Sequence, residues 1–178
     1  MTHARLTVVA GPMFAGKTAE LLRRVAAAHD QGRAVTVYKP ETDNRYDALA
    51  LVTHDGRRLT ASPITLDCAG LVLPPPGALL VIDEAHFFGN ALLAPVRSAL
   101  ATGVDVLLAG VDLDHRGLPF DPFPTLLCEA DEVVKLRARC ARCGGPAVHS
   151  HRLAPGSDRV LVGGAEAYEP RCRACFPR

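Results

Sequence analysis

The sequence predicts an α/β protein, a mostly parallel sheet with helices on both faces, carrying a small cysteine-bearing appendage at its C-terminus. Three observations carry that expectation. Short continuous apolar runs alternate with helical patterns, as strands buried on both faces of a parallel sheet do. A glycine-rich turn, GPMFAGKT (11–18), joins the first such run to the first helix. Two C-x-x-C pairs lie near the end of the chain, in a stretch rich in Gly, Pro and Arg.

Taken in order, LTVVA (6–10) is the first buried strand. TAELLRRVAAAHDQG (18–32) follows as a helix, with Leu21, Leu22 and Val25 on one face and Gly32 as its stop signal. AVTVYKP (34–40) is a second strand and completes a β-loop-α-β unit, the building block of α/β sheets. Residues 41–58 are polar and turn-rich and are expected at the surface, while LTASPI (59–64) suits a short strand. Pro74-Pro75-Pro76 interrupts the chain. ALLVIDEAHFF (78–88) reads as an apolar strand ending in acids, LLAPVRSALATG (92–103) as a helix and VDVLLAGVD (104–112) as another buried strand. HRGLPFDPFP (115–124) is loop, and LLCEADEVVKLRARC (126–140) runs from a helix into a strand.

With 178 residues, 48% of them apolar, the chain is one domain with a real core, or one domain with an appendage. The formal net charge of +1 is no polyanion-binding signature for the whole molecule. The halves differ, however. Residues 1–134 hold 11 Lys/Arg against 16 Asp/Glu, a net of −5, and residues 135–178 hold 9 against 3, a net of +6. Such a basic tail suits nucleic acid, phosphate groups or the acidic body itself. No apolar run reaches membrane-spanning length and no signal peptide opens the chain, so a cytoplasmic protein is expected.

Gly11, Pro12, Met13, Phe14, Ala15, Gly16, Lys17 and Thr18 match the phosphate-loop pattern G-x-x-x-x-G-K-[ST]. Glycines let the backbone bend until several N–H groups face one phosphate, and the helix behind adds its positive end. Lys17 would reach the β and γ phosphates of ATP, and the Thr18 hydroxyl would ligate Mg²⁺. The position between a predicted strand and a predicted helix is the context this motif requires, and it makes the fold a P-loop, recA-like one. The second Mg²⁺ residue is then expected at the end of a neighbouring strand, where Asp83 stands. Glu84 beside it is placed to act as general base, and the tetrad Asp83, Glu84, Ala85 and His86 is assigned with the loop to the ATP site. The same D-E-A-H letters also match helicase ATPases. A translocase of that class needs two recA-like domains, and this length holds one.

Cys140, Cys143, Cys172 and Cys175 form two knuckles separated by 28 residues. Four thiolates complete a closed tetrahedral site, so a structural Zn²⁺ is expected in preference to disulfides. It would staple the ends of 144–171 into a loop. A zinc ribbon that binds nucleic acid through its basic surface is the remaining alternative. Cys68 and Cys128 lack partners at ligand spacing and read as buried, small apolar residues. The chain is accordingly divided into a P-loop nucleotide-binding domain, 1–138, and a zinc-binding segment, 139–178.

Six motifs in order, GPMFAGKTAELLRR, YKPETDNRY, VIDEAHFF, AGVDLDHRGLPF, VVKLRARCARC and LVGGAEAYEPRCRAC, resemble the type II thymidine kinases across nearly the whole length. The resemblance implies transfer of the γ-phosphate of ATP to the 5′-hydroxyl of deoxythymidine, with Glu84 taking the hydroxyl proton. It implies a zinc-held lasso closing over the base, with the Val162, Gly163 and Gly164 backbone bonding the pyrimidine edge and Tyr168 packing on the sugar or base. It further implies that Phe87 stacks near the pyrimidine, that Met13 and Val111 line the 5-methyl pocket, and that the enzyme is a homotetramer. Arg45 is a candidate for contacting phosphate or closing the site. Two positions depart from the family pattern. His86 stands where Gln or a similar residue is usual, and His115 stands where the nucleoside pocket usually has an aromatic. Segment 144–171 also carries His149, His151, Arg152 and Arg159, the two histidines being alternative metal ligands.

Overall fold

The computed structural model describes residues 3–43, 50–52, 58–156 and 158–177. Arg45 lies outside the described residues. Among the described residues, twelve strands, β1 (Leu6–Ala10), β2 (Val35–Pro40), β3 (Ala50–Val52), β4 (Arg58–Thr60), β5 (Ser62–Ile64), β6 (Leu79–Ile82), β7 (Asp105–Gly110), β8 (Glu132–Lys135), β9 (Ala138–Arg139), β10 (Pro146–Ala147), β11 (His149–Arg152) and β12 (Tyr168–Arg171), accompany three α-helices, α1 (Lys17–Asp30), α2 (Leu93–Ala101) and α3 (Phe123–Glu129). A 3-10 segment spans Ala85–Leu92.

Six strands form the main sheet in the order β5-β2-β6-β7-β1-β8, every neighbouring pair parallel. Helices cover both faces. On one, Leu21, Val25 and Ala28 of α1 pack with Val9, Val37, Val81 and Leu107. On the other, Leu92 and Val96 and α3's Phe123 and Leu126 pack with Leu6, Val8, Leu80, Ile82 and Leu108. Burial from both sides is why β6 reads as an unbroken apolar run.

Several expected boundaries shift. LTASPI is two strands, β4 pairing with β3 as an antiparallel hairpin and β5 joining the main sheet, because buried Ala61 separates them. The strand read over 78–88 stops at Ile82, and the chain turns at Asp83-Glu84 into the 3-10 segment. Cys68 is buried as expected, but Cys128 is exposed, because α3 spends its core-facing positions on Phe123 and Leu126.

Helix α1 is fastened to the sheet edge by charge. Arg24 donates to both Glu132 oxygens on β8, at 2.9 and 2.7 Å, and also reaches Glu20 at 2.7 Å. The hydrogen bond from Arg23 holds the Glu20 carboxyl down at about 2, against burial and with help from Arg24. A carboxyl depressed on folding from 4.5 contributes stability above that value and loses it as pH falls toward 2. Arg23 is largely exposed, so solvent screens its share. Glu20→Gln is therefore expected to lower Tm at pH 7 by about 2–3 °C. Thermal melts should show that gap closing between pH 4.5 and 2. A gap independent of pH would refute the assignment.

Strands β1, β7 and β6 are adjacent in the sheet, so their C-terminal ends bring the phosphate loop, Val111-Asp112 and Asp83-Glu84 together. Ligands of open parallel sheets bind at that edge.

Candidate active site

The phosphate loop closes around two glycines whose geometry disfavours a side chain. A Cβ on Gly11 would sit 2.7 Å from the Leu136 carbonyl oxygen, and Gly16 takes a left-handed φ of 83° at the start of α1. Lys17 is buried and donates to the Pro12 carbonyl at 2.8 Å across the loop. Thr18 donates its hydroxyl to Asp83 Oδ2 at 3.0 Å, which joins the loop to the end of β6. Asp83 is buried, and its other oxygen accepts the Glu84 amide at 2.8 Å. Burial, and after it the neighbouring Glu84 charge, push its carboxyl up to about 7. The Thr18 hydroxyl and the Asp83 carboxylate are hard oxygen donors side by side, a set that fits Mg²⁺.

Glu84 has φ 50° and ψ 40°, a left-handed conformation rare for a residue with a side chain. Strain of this kind clusters at functional sites. Here the sharp turn out of β6 puts Asp83 toward the loop and Glu84 into a neighbouring cleft. That cleft, about 450 Å³ with part of it open to solvent, is lined by Met13, Glu84, His86, Phe87, Val111, Asp114, His115, Phe120, residues 159–163 and Tyr168.

Seven of the eight nucleoside candidates line it: Met13, Phe87, Val111, His115, Val162, Gly163 and Tyr168. Gly164 sits just beyond, in a turn where its carbonyl accepts the Ala167 and Tyr168 amides. Ala85 is fully buried in the core. His86, grouped with the ATP residues from its place in the tetrad, is in the cleft wall. Its Nδ1 accepts the Val111 amide at 3.3 Å and lies 3.5 Å from Glu84, and its ring sits 4.3 Å from that of Phe87.

Downstream, the four cysteine sulfurs lie within 4.8 Å of one another, and among the described residues no other group of metal-ligating side chains does so. Burial works against ionisation of Cys140, yet backbone N–H groups of Cys172, Cys143 and Arg142 bring its thiol down to about 6. The opposite holds for Cys175, which the facing Cys172 and Cys143 sulfurs push up to about 12. Four crowded thiolates need a cation, and the tetrahedral sulfur set fits Zn²⁺. His149 and His151 stand outside this cluster, against the Phe176 ring at 4.2 and 6.1 Å. The knuckles also reach the loop: Ala15 packs against their small core of Ala138, Cys140 and Ala147. Close by, the Met13 amide donates to Ser150 Oγ at 2.9 Å.

The sequence profile of the thymidine kinases matches residues 4–176. The chain belongs to the thymidine kinase family. Membership makes it a nucleoside kinase. A thymidine kinase of Bacteroides fragilis is 39% identical over 176 residues, 99% of this chain and 88% of that protein. One from a Rhodothermus species is 40% identical over 171 residues, 96% of this chain and 80% of that protein. Among solved structures, a genome packaging NTPase from Sulfolobus turreted icosahedral virus 2, in complex with ATP-gammaS, shares the fold. Its TM-score is 0.50 at 11% identity, over 79% of this chain and 78% of that one. Among the described residues, no helix of this thymidine kinase family member is long and apolar enough to cross a membrane.

Reading the sequence did not single out Asp114, Phe120, Val160 or Leu161 as cleft residues, and noted Arg159 only as a charge in the lasso. Asp114 and Phe120 belong to D-L-D-H-R-G-L-P-F, a loop whose irregular path no periodicity reveals. One usable signal was Phe120, an aromatic in the same loop as the D-x-D run.

Proposed function

We propose that the protein phosphorylates the 5′-hydroxyl of deoxythymidine with ATP and Mg²⁺. The observation that carries this is the split pair at the end of β6: Asp83 faces Thr18 of the phosphate loop, and its neighbour Glu84 faces the cleft. Donor and acceptor would thus meet across one peptide bond. The loop amides and Lys17 hold the phosphates, with Lys17 exchanging its Pro12 carbonyl for phosphate oxygens. Mg²⁺, held by Thr18 and Asp83, would supply charge neutralisation on those phosphates when bound.

Glu84 accepts the proton of the 5′-hydroxyl as that oxygen attacks, so it is read as the general base. Acceptance of the Val111 amide by His86 Nδ1 favours the ring tautomer with its proton on Nε2. Met13, Phe87, Val111, His115 and Tyr168 wall the base and sugar, and the Val162 and Gly163 backbone meets the pyrimidine edge. The zinc-held segment from residue 139 onward acts as the lid, excluding water that would otherwise hydrolyse ATP. A homotetramer of cytoplasmic subunits is the assembly the family resemblance supports.

The test is ATP-dependent phosphate transfer to a panel of nucleosides with Mg²⁺ present. Selective turnover of deoxythymidine supports the reading. Preference for another nucleoside moves specificity to His115, and ATP hydrolysis stimulated only by nucleic acid would replace the reading with a translocase. Lys17→Ala is expected to lower kcat by about 10²–10³-fold, the usual loss when one donor to a developing charge is removed. Steady-state kinetics at saturating ATP checks it, and a kcat within a few fold of wild type would exclude Lys17 from phosphoryl stabilisation.

A further inference from the structure

Residues 158–166 form one wall of the cleft without the usual means of holding a wall in place. They contain no strand or helix, and Val160 and Val162 are 47% and 40% exposed. Arg152 donates to the Asp158 carbonyl, Tyr168 to the Leu161 carbonyl, and Glu166 accepts the Gly164 amide. These bonds close the segment on itself and on β11 and β12. Arg159 instead crosses the cleft. Its Nε donates to Asp114 Oδ2 at 3.0 Å and its Nη2 to the Pro119 carbonyl at 2.6 Å. Its guanidinium carbon lies 4.9 Å from the centre of the Phe120 ring, a cation over an aromatic face of the same wall.

The acceptor is built to receive it. The Asp114 side chain is fully buried, and Oδ1 is occupied by the Arg116 and Leu118 amides at 2.9 and 3.0 Å. Oδ2 is thereby presented in a fixed direction to the guanidinium. A second cation, half-exposed Arg116, stands 3.7 Å from the same oxygen. When Arg159 departs, Arg116 can take over, so the buried carboxylate is not left uncompensated and the contact can open and close.

We propose that Arg159 and Asp114 form a latch holding segment 158–166 closed over the nucleoside, and that nucleoside entry and release require this ion pair to part. Arg159 is a positioning residue that acts through the lid and through Phe120. The inference rests on reading the cleft as the nucleoside site. It makes nucleoside exchange sensitive to salt, since the pair is 41% exposed on the Arg159 side and screened accordingly.

The test combines kinetics with amide hydrogen exchange. Arg159→Ala is expected to raise KM for deoxythymidine about tenfold while kcat stays within about threefold, and Arg159→Lys to fall between. Asp114→Asn keeps an oxygen for the two amides but turns an NH₂ toward the guanidinium, so it should raise KM by a similar factor. The double variant should be no worse than either single one, because both remove the same contact. Raising NaCl from about 0.05 to 0.5 M should lift the wild-type KM toward that of Arg159→Ala and leave the variant flat. In the nucleotide-free protein, exchange of peptide amides across 158–166 should quicken at least fivefold in Arg159→Ala. Unchanged exchange, or fully additive KM effects, would overturn the latch. A wild-type protein that turns over no nucleoside would instead refute the functional reading, leaving the exchange measurement to decide the latch alone.

Discussion

Glu84→Gln is expected to lower kcat for nucleoside phosphorylation by about 10³-fold, within the range general-base catalysis contributes. Glutamine keeps the size and shape of the side chain, so the turn out of β6 and the cleft wall survive. What it loses is the ability to take a proton from the attacking hydroxyl. The Thr18–Asp83 contact is made by neighbouring groups and stays in place, so KM for ATP should change by no more than about twofold. Rapid-quench measurement of the first turnover separates the chemical step from product release. A burst at nearly the wild-type rate would remove Glu84 from the proton transfer, leaving its left-handed conformation without a catalytic explanation.

The second large effect is expected from Cys172→Ser. Closed cysteine sites supply apparent binding energies of about 10–16 kcal/mol to the segments they fold. Removal of one thiolate should release the zinc, seen as loss of one equivalent per chain by metal analysis. Segment 139–177 should then exchange its amides rapidly, and kcat/KM for the nucleoside should fall by 100-fold or more, roughly the cost of an unassembled acceptor site. The damage should extend to the donor. Ala15 rests on the knuckle core and the Met13 amide on Ser150, so ATP affinity should weaken as well. A variant that keeps a rigid segment and full activity would show that the metal site is dispensable.

The sheet was legible in the sequence because β1, β6 and β7 are buried almost throughout, with Thr7 and Asp105 the only polar residues in their runs. Where burial is one-sided or interrupted, legibility failed. Ala61 hid the break between β4 and β5, and although Asp83-Glu84 marked the end of the apolar run, the apolar AHFF after it read as a continuation of the strand. The phosphate loop was readable because its chemistry demands residues at fixed spacing, and the knuckles for the same reason. The cleft was less so. His86 is assigned to the ATP site with its tetrad, and the fold places it in the cleft wall beside Glu84 and Phe87. Asp114 and Arg159 are 45 residues apart and form a pair only through the fold. No local pattern encodes such a contact.

The place of β1 in the sheet has a consequence for how the protein is made. This strand leaves the ribosome well before either of its neighbours: β7 ends at Gly110 and β8 at Lys135. Until β7 has been made, Leu6–Ala10 has no strand to pair with and the loop after it has no frame. Long-range parallel pairing of this kind is slow and leaves an apolar strand waiting. Nascent chains stalled before residue 105 should therefore bind no nucleotide and be bound by holding chaperones. The capacity to grip ATP should appear abruptly, once β8 closes the far side of the strand that carries it.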